Sequence, residues 1–108
     1  MITHRQHFLR KHGLSEDSHH SLAELSRIAH VPLQALKECF KRGVGAWTNN
    51  IQSVRLKKDF SKNPNMSAYP RSARLTKEQW AYARVYSLLD KGTTYYTADS
   101  DLVEKYGI

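Results

Sequence analysis

The sequence predicts a mainly α-helical domain with a helix-turn-helix-like pair near its start, a long basic loop in its middle and an apolar core helix toward its end. Three observations carry that expectation. Two capping boxes, Ser21-Leu22-Ala23-Glu24 and Thr76-Lys77-Glu78-Gln79, each stand directly before an apolar run. In such a box the hydroxyl bonds the third helical amide while the Glu or Gln reaches back to the cap. Leu22, Leu25, Ile28 and Ala29, then Leu33, Leu36 and Phe40, recur at the three- and four-residue intervals of a buried helical stripe. Residues 43–75, by contrast, are dense in turn formers and have little periodicity.

Taken in order, residues 1–20 read as a short helix and a connector. Thr3 can cap a helix reaching His12, Phe8 and Leu9 supply its apolar contact, and Gly13 offers a stop. Residues 21–42 read as two helices with a tight joint at His30-Val31-Pro32, since Pro suits the first position of a helix. His30 stands where such a turn usually has glycine, so the joint requires a positive φ there. Gly43 and Gly45 are expected to end the second helix of the pair. Residues 43–75 then read as loop, with a short helix around Ser53 to Lys58. A stretch of that length is either functional, ordered by a partner, or not structureless after all. Residues 76–108 hold a helix to about Asp90 that is apolar nearly all round, through Trp80, Ala81, Tyr82, Val85, Tyr86, Leu88 and Leu89. It is expected to be the central core helix, or to face another chain with its second side. Thr93 to Thr97 has strand-like composition, and Asp99 or Ser100 can cap a last turn or two through Tyr106.

One domain is the expectation for 108 residues. No apolar stretch approaches the roughly 20 residues needed to span a bilayer. Met1 to Arg10 is polar and basic, so no secretory signal is expected there. Cys39 is the one cysteine and cannot form an internal disulfide, which fits a reducing compartment.

Location makes the charge informative. The formal net charge is +7. Residues 41–75 carry Lys41, Arg42, Arg55, Lys57, Lys58, Lys62, Arg71 and Arg74 against Asp59 alone, which accounts for all of it. A field so concentrated attracts polyanions, and nucleic acid is the commonest of these. The plainer alternative is a basic face that meets an acidic protein surface or keeps the chain solvated.

Two constellations could use that charge. If the pair over residues 21–42 is a helix-turn-helix, its second helix lies in the major groove. Gln34 would then read base edges, and Lys37, Lys41 and Arg42 would contact phosphates. Two helices joined by a short turn are also a common purely structural unit. The second constellation is the loop, where Arg55, Lys57, Lys58, Lys62, Arg71 and Arg74 alternate with Trp47, Phe60 and Tyr69. Cations that track a phosphate backbone beside stacking aromatics describe single-strand binders. Trp47 reads better as an anchor to the core, and Tyr69 stays open. The six histidines all fall within the first 30 residues, and His4 and His7 can share a helix face. No zinc-like spacing accompanies them, so no metal site and no cofactor are expected. There is no phosphate-binding glycine loop, nucleophile elbow or H-E-x-x-H, and Cys39 falls near a buried stripe, so an enzyme is not expected.

The stretch Arg42-Gly43-Val44-Gly45-Ala46-Trp47-Thr48-Asn49, with Ser53-Val54-Arg55 and LTKEQWAYARVYSLL over residues 75–89, resembles an uncharacterised domain family of bacteriophages and large DNA viruses. The resemblance covers roughly residues 20–106 and is most specific at Gly-Ala-Trp and Glu-Gln-Trp-Ala. It implies a viral origin, with the host cytoplasm or the virion as location, and it carries no catalytic residue with it. It also implies the alternative of a virion structural protein packed against capsid, portal or neck proteins. The expected partners are therefore nucleic acid, DNA before RNA, or viral structural proteins. No membrane is expected, and a homo-oligomer is compatible with the apolar helix.

Overall fold

A computed structural model describes residues 3–108 and is mainly helical. Five α-helices follow one another: α1 His4–Lys11, α2 Leu22–Ala29, α3 Leu33–Asn49, α4 Lys77–Leu89 and α5 Ser100–Tyr106. Short 3-10 turns lie at Ile51–Ser53 and Arg71–Ala73, and a π-helical turn at Thr94–Ala98. Both expected capping boxes are formed, at Ser21 with Glu24 and at Thr76 with Gln79. A third closes α1, where Thr3 accepts from the Gln6 amide and the Gln6 side chain accepts from the Thr3 amide.

The core is where the helical stripes meet. Phe8 and Leu9 of α1, Leu25 of α2, Leu36 and Cys39 of α3, Val85, Tyr86 and Leu88 of α4, and Leu102 of α5 are all buried together. α4 is the central helix and packs on both α1 and α3. Its half-buried Tyr82 stands edge-on to Phe40 with ring centroids 5.1 Å apart. Its second side is half-buried, at Trp80, Tyr82, Ala83 and Leu89.

α3 does not stop at Gly43 and Gly45 but continues to Asn49. The expectation failed because those glycines were read as terminators. Gly43 is instead the point where α3 crosses α4: a Cβ there would lie 2.7 Å from the Ala81 Cα, inside any real contact distance. Close approach of two backbones needs glycine for the same reason a left-handed turn does, namely the missing side chain. Gly43→Ala is therefore expected to push the helices apart and destabilise the fold by about 1–3 kcal/mol, the usual range for overpacking. An unchanged thermal midpoint would mean that α3 and α4 do not meet so closely.

Two smaller departures share a cause. No helix spans Ser53 to Lys58; the chain makes a 3-10 turn at Ile51–Ser53, and Leu56 forms an isolated antiparallel bridge with Arg74. Thr93–Thr97, strand-like in composition, is helical. In each case tertiary contacts outweigh local preference. The joint between α2 and α3 conforms more closely. His30 has φ 56° and ψ 44°, the left-handed conformation that the turn required. Ser26 Oγ donates to the Val31 carbonyl at 2.5 Å and pins that turn from the preceding helix.

α1 is attached at both ends of its buried face. Phe8 packs on Tyr86, and His4 Nδ1 lies 2.8 Å from Asp90 Oδ2 at the end of α4. His7 shares that helix face and bonds the other oxygen of the same carboxylate. Burial pushes the Asp90 carboxyl up, but the bonds from His4 and His7 outweigh it and hold the group below the ordinary carboxylate range.

Candidate nucleic-acid interface

The long loop is ordered by its own polar groups. Asp59 Oδ1 accepts from the Ser61 amide, Asn63 Oδ1 from the Asn65 amide, and Asn65 Oδ1 from the amides of Ser67 and Ala68. Such side-chain mimics of backbone turns explain why Asn and Asp crowd this segment. Across the Leu56–Arg74 bridge, Lys57 N bonds Ala73 O at 3.0 Å and Leu75 N bonds Arg55 O at 3.0 Å. Val54 and Leu56 are buried beneath it. The segment 50–75 is thus a small built lobe on the end of α3 and not an open loop.

Arg74 is its centre. The residue is 1% exposed. Its Nε donates to Tyr69 O, Nη1 to Gln52 O and Val54 O, and Nη2 to Asn63 O, at distances between 2.5 and 3.1 Å. A rigid five-donor fork is the side chain able to gather four carbonyls from three stretches of loop at once. Arg74 was expected to contact phosphate; it has no free face, and its work is to hold the lobe together. Arg42 departs from the expectation in a similar way. Its guanidinium is clasped by Asp101 through two bonds of 2.8 and 2.6 Å and by Asp99 through a third of 2.8 Å.

The remaining cations divide into two sets. Lys57, Lys58, Lys62 and Arg71 are exposed on the lobe, and Arg55 is half-buried there. Three of these lie over aromatic rings. Arg55 stands 4.8 Å from the centre of Phe60, Lys58 4.9 Å from Tyr69 and Arg71 4.9 Å from Trp47. Arg55 also donates to the Phe60 carbonyl at 2.8 Å, across a backbone held at φ 60°. Trp47 is anchored as expected, its indole N–H donating to Leu75 O at 2.9 Å. Lys77, exposed at the start of α4 and 5.8 Å from the Trp47 ring, belongs to the same group. Sequence reasoning missed it because a residue just inside a capping box reads as helix surface, with no sign that the loop folds back beside it.

The second set, Gln34, Lys37 and Lys41, is exposed on the outer face of α3. Spacings of three and four place these residues on one side of a helix. Trp47 follows buried Gly43 by four residues and so belongs to the opposite, inward side. The two sets are therefore carried on different sides of α3 and are not gathered into one continuous face of that helix.

Other places in the molecule offer less chemistry. A groove of about 940 Å³ lies between α1 with its connector and α4, floored by Phe60, Leu75, Tyr82 and Tyr86. Part of its polar lining is engaged in holding the fold: Arg5 donates to the carbonyls of Glu16 and Ser18, and Gln6 and Gln79 serve as caps. Cys39 is fully buried, and burial first, then the neighbouring Asp99 carboxylate, push its thiol up and away from the reactive thiolate. Among the described residues no group of three or more His, Cys, Asp or Glu is arranged to hold a metal ion. Among them, too, no helix is long and apolar enough to cross a membrane. Comparison of the chain with family models, curated proteins and solved structures gave no match.

Proposed function

We propose that this chain is a non-enzymatic nucleic-acid-binding protein of the viral type its motifs resemble, engaging DNA in preference to RNA through the lobe at the end of α3. The observation that carries this reading is the exposure of Lys57, Lys58, Lys62, Arg71 and Lys77 around one self-ordered lobe. Within residues 51–75 the one carboxylate is Asp59, which is occupied by Ser61. Gln34, Lys37 and Lys41 offer a second, weaker contact in the helix-turn-helix manner. Arg74 supports the surface from beneath, and Arg42 is held by Asp99 and Asp101.

Salt dependence tests it. Four or five phosphate contacts should cost on the order of a hundredfold in affinity between about 50 and 200 mM salt, as released counterions are returned. The triple change K57E/K58E/R71E should flatten that slope, whereas K37E/K41E should alter it less. No binding to duplex or single strands at about 50 mM salt, where phosphate contacts are strongest, would end the reading. The alternative of a virion structural protein drew on α4 offering a free apolar side. Tyr82, Ala83 and Leu89 are half-buried within the chain's own fold, so that alternative is the lesser one. Its presence in purified particles, with assembly lost in the lysine variants when no nucleic acid is present, would reverse the order.

A further inference from the structure

We propose, resting on the reading just given, that the lobe recognises the phosphate chain of its ligand and takes no part in recognising bases. The first argument is the charge of Arg74. A buried guanidinium ordinarily has a carboxylate beside it. All four bonds of Arg74 go to neutral carbonyls, and Asp59 is exposed and turned to Ser61. An uncompensated charge in a low-dielectric setting acts on an approaching anion more strongly than the same charge in water. Together with the exposed lysines, it makes the lobe a positive body whose one carboxylate is Asp59.

The second argument is that each aromatic ring already has a cation against one face. Phe60, Tyr69 and Trp47 each have a cation within 4.9 Å of the ring centre, and Trp47 has Lys77 as well at 5.8 Å. A single-strand binder leaves such faces open so that bases can stack on them. Here the rings hold long cationic side chains in place, which lowers the entropy lost when those chains are ordered on a ligand. The third argument is the fate of the amides. Asn63 and Asn65, of a type able to read base edges, have their side-chain oxygens occupied by backbone amides of the turns. Gln52, Ser67 and Ser72 are also exposed, but apart from Asp59 the charged groups that the lobe presents outward are ammonium and guanidinium, the chemistry of phosphate contact.

The probes are oligo(dT), oligo(dA) and linear inorganic polyphosphate of matched phosphate number, followed by fluorescence anisotropy and competition at low salt. The oligo(dT) and oligo(dA) affinities should agree within about threefold, since counterion release depends on charge density and not on bases, and polyphosphate, with its more closely spaced charges, should bind at least as tightly. Polyphosphate should displace either oligonucleotide, and K57E/K58E/R71E should weaken all three by about tenfold or more. Tyr69→Leu, checked for folding by its thermal melt, should weaken oligonucleotide and polyphosphate alike. Tight oligonucleotide binding that polyphosphate fails to match or displace would overturn the proposal and leave the nucleic-acid reading standing, as would a Tyr69→Leu loss confined to oligonucleotides. Failure of every probe to bind, with duplex DNA also unbound at about 50 mM salt, would remove both.

Discussion

Arg74→Met should loosen the lobe while leaving the helices in place, at a cost of about 3–5 kcal/mol, a few buried carbonyls' worth of lost hydrogen bonds. The reason is the number of groups orphaned. Tyr69, Gln52, Val54 and Asn63 each lose their donor at a single stroke. A buried carbonyl left without a partner costs about 1–3 kcal/mol, and water reaching the partly exposed ones reduces the sum. Removing the buried positive charge itself offsets part of the loss, which keeps the figure below four full penalties. Arg74→Lys should fall between wild type and Met, because one ammonium with three donors cannot meet four carbonyls around a planar fork. Hydrogen exchange makes the effect local and readable. The amides of Lys57 and Leu75 bond across the lobe to Ala73 and Arg55. They should lose protection in Arg74→Met while the amides of α4 retain theirs. Equal protection in both variants would show that Arg74 does not hold the lobe, and its charge would then carry no weight in phosphate recognition either.

The helices were legible because their signals are local. A capping box needs four residues, and a buried stripe needs a dozen, so Ser21 to Phe40 and Thr76 to Leu89 announced themselves. The left-handed His30 was legible too, since a turn of that shape needs a positive φ whatever residue occupies it. What escaped was decided by distant partners. Gly43 looks like a helix stop until Ala81 is beside it, 38 positions later in the chain. Arg74 and Arg42 are indistinguishable in sequence from Lys57 or Lys58, and only the carbonyls around the first and the carboxylates around the second set them apart. The charge imbalance pointed to the segment that folds as the lobe but overstated its population of free cations. Asp99 was seen as a possible cap for the last helix, a role local sequence can suggest. Its actual partners come from α3 and α4.

Asp99→Ala should be among the most damaging single changes in the helical body. Asp99 is fully buried and receives Arg84 through two bonds, Nε at 2.9 Å and Nη2 at 2.8 Å, and Arg42 through a third. One carboxylate thus ties α3, α4 and α5 together. Its removal leaves two guanidinium groups close to each other with Asp101 as the remaining acid, and breaking a buried pair in this way costs about 3–5 kcal/mol. The lower end of that range is expected, because the Arg84 side chain keeps 20% exposure and water can reach it. Asp99→Asn keeps the shape and some bonding, so its loss should be smaller. The same cluster sets an acid limit. Burial pushes Asp99 up, but the bonds from Arg84, Cys39 and Arg42 prevail and hold it below the ordinary range. The Arg42 bonds hold Asp101 down to about 2. Groups depressed in the folded state contribute fully above the ordinary carboxylate value of about 4, and that contribution fades as pH falls below it. Thermal midpoints of the wild-type chain should therefore be level above about pH 5 and decline between about 4 and 2. The decline should be shallower in Asp99→Asn, which has already lost part of the titrating contribution. A wild-type midpoint indifferent to acid over that window would mean that Asp99 and its arginines do not couple the three helices.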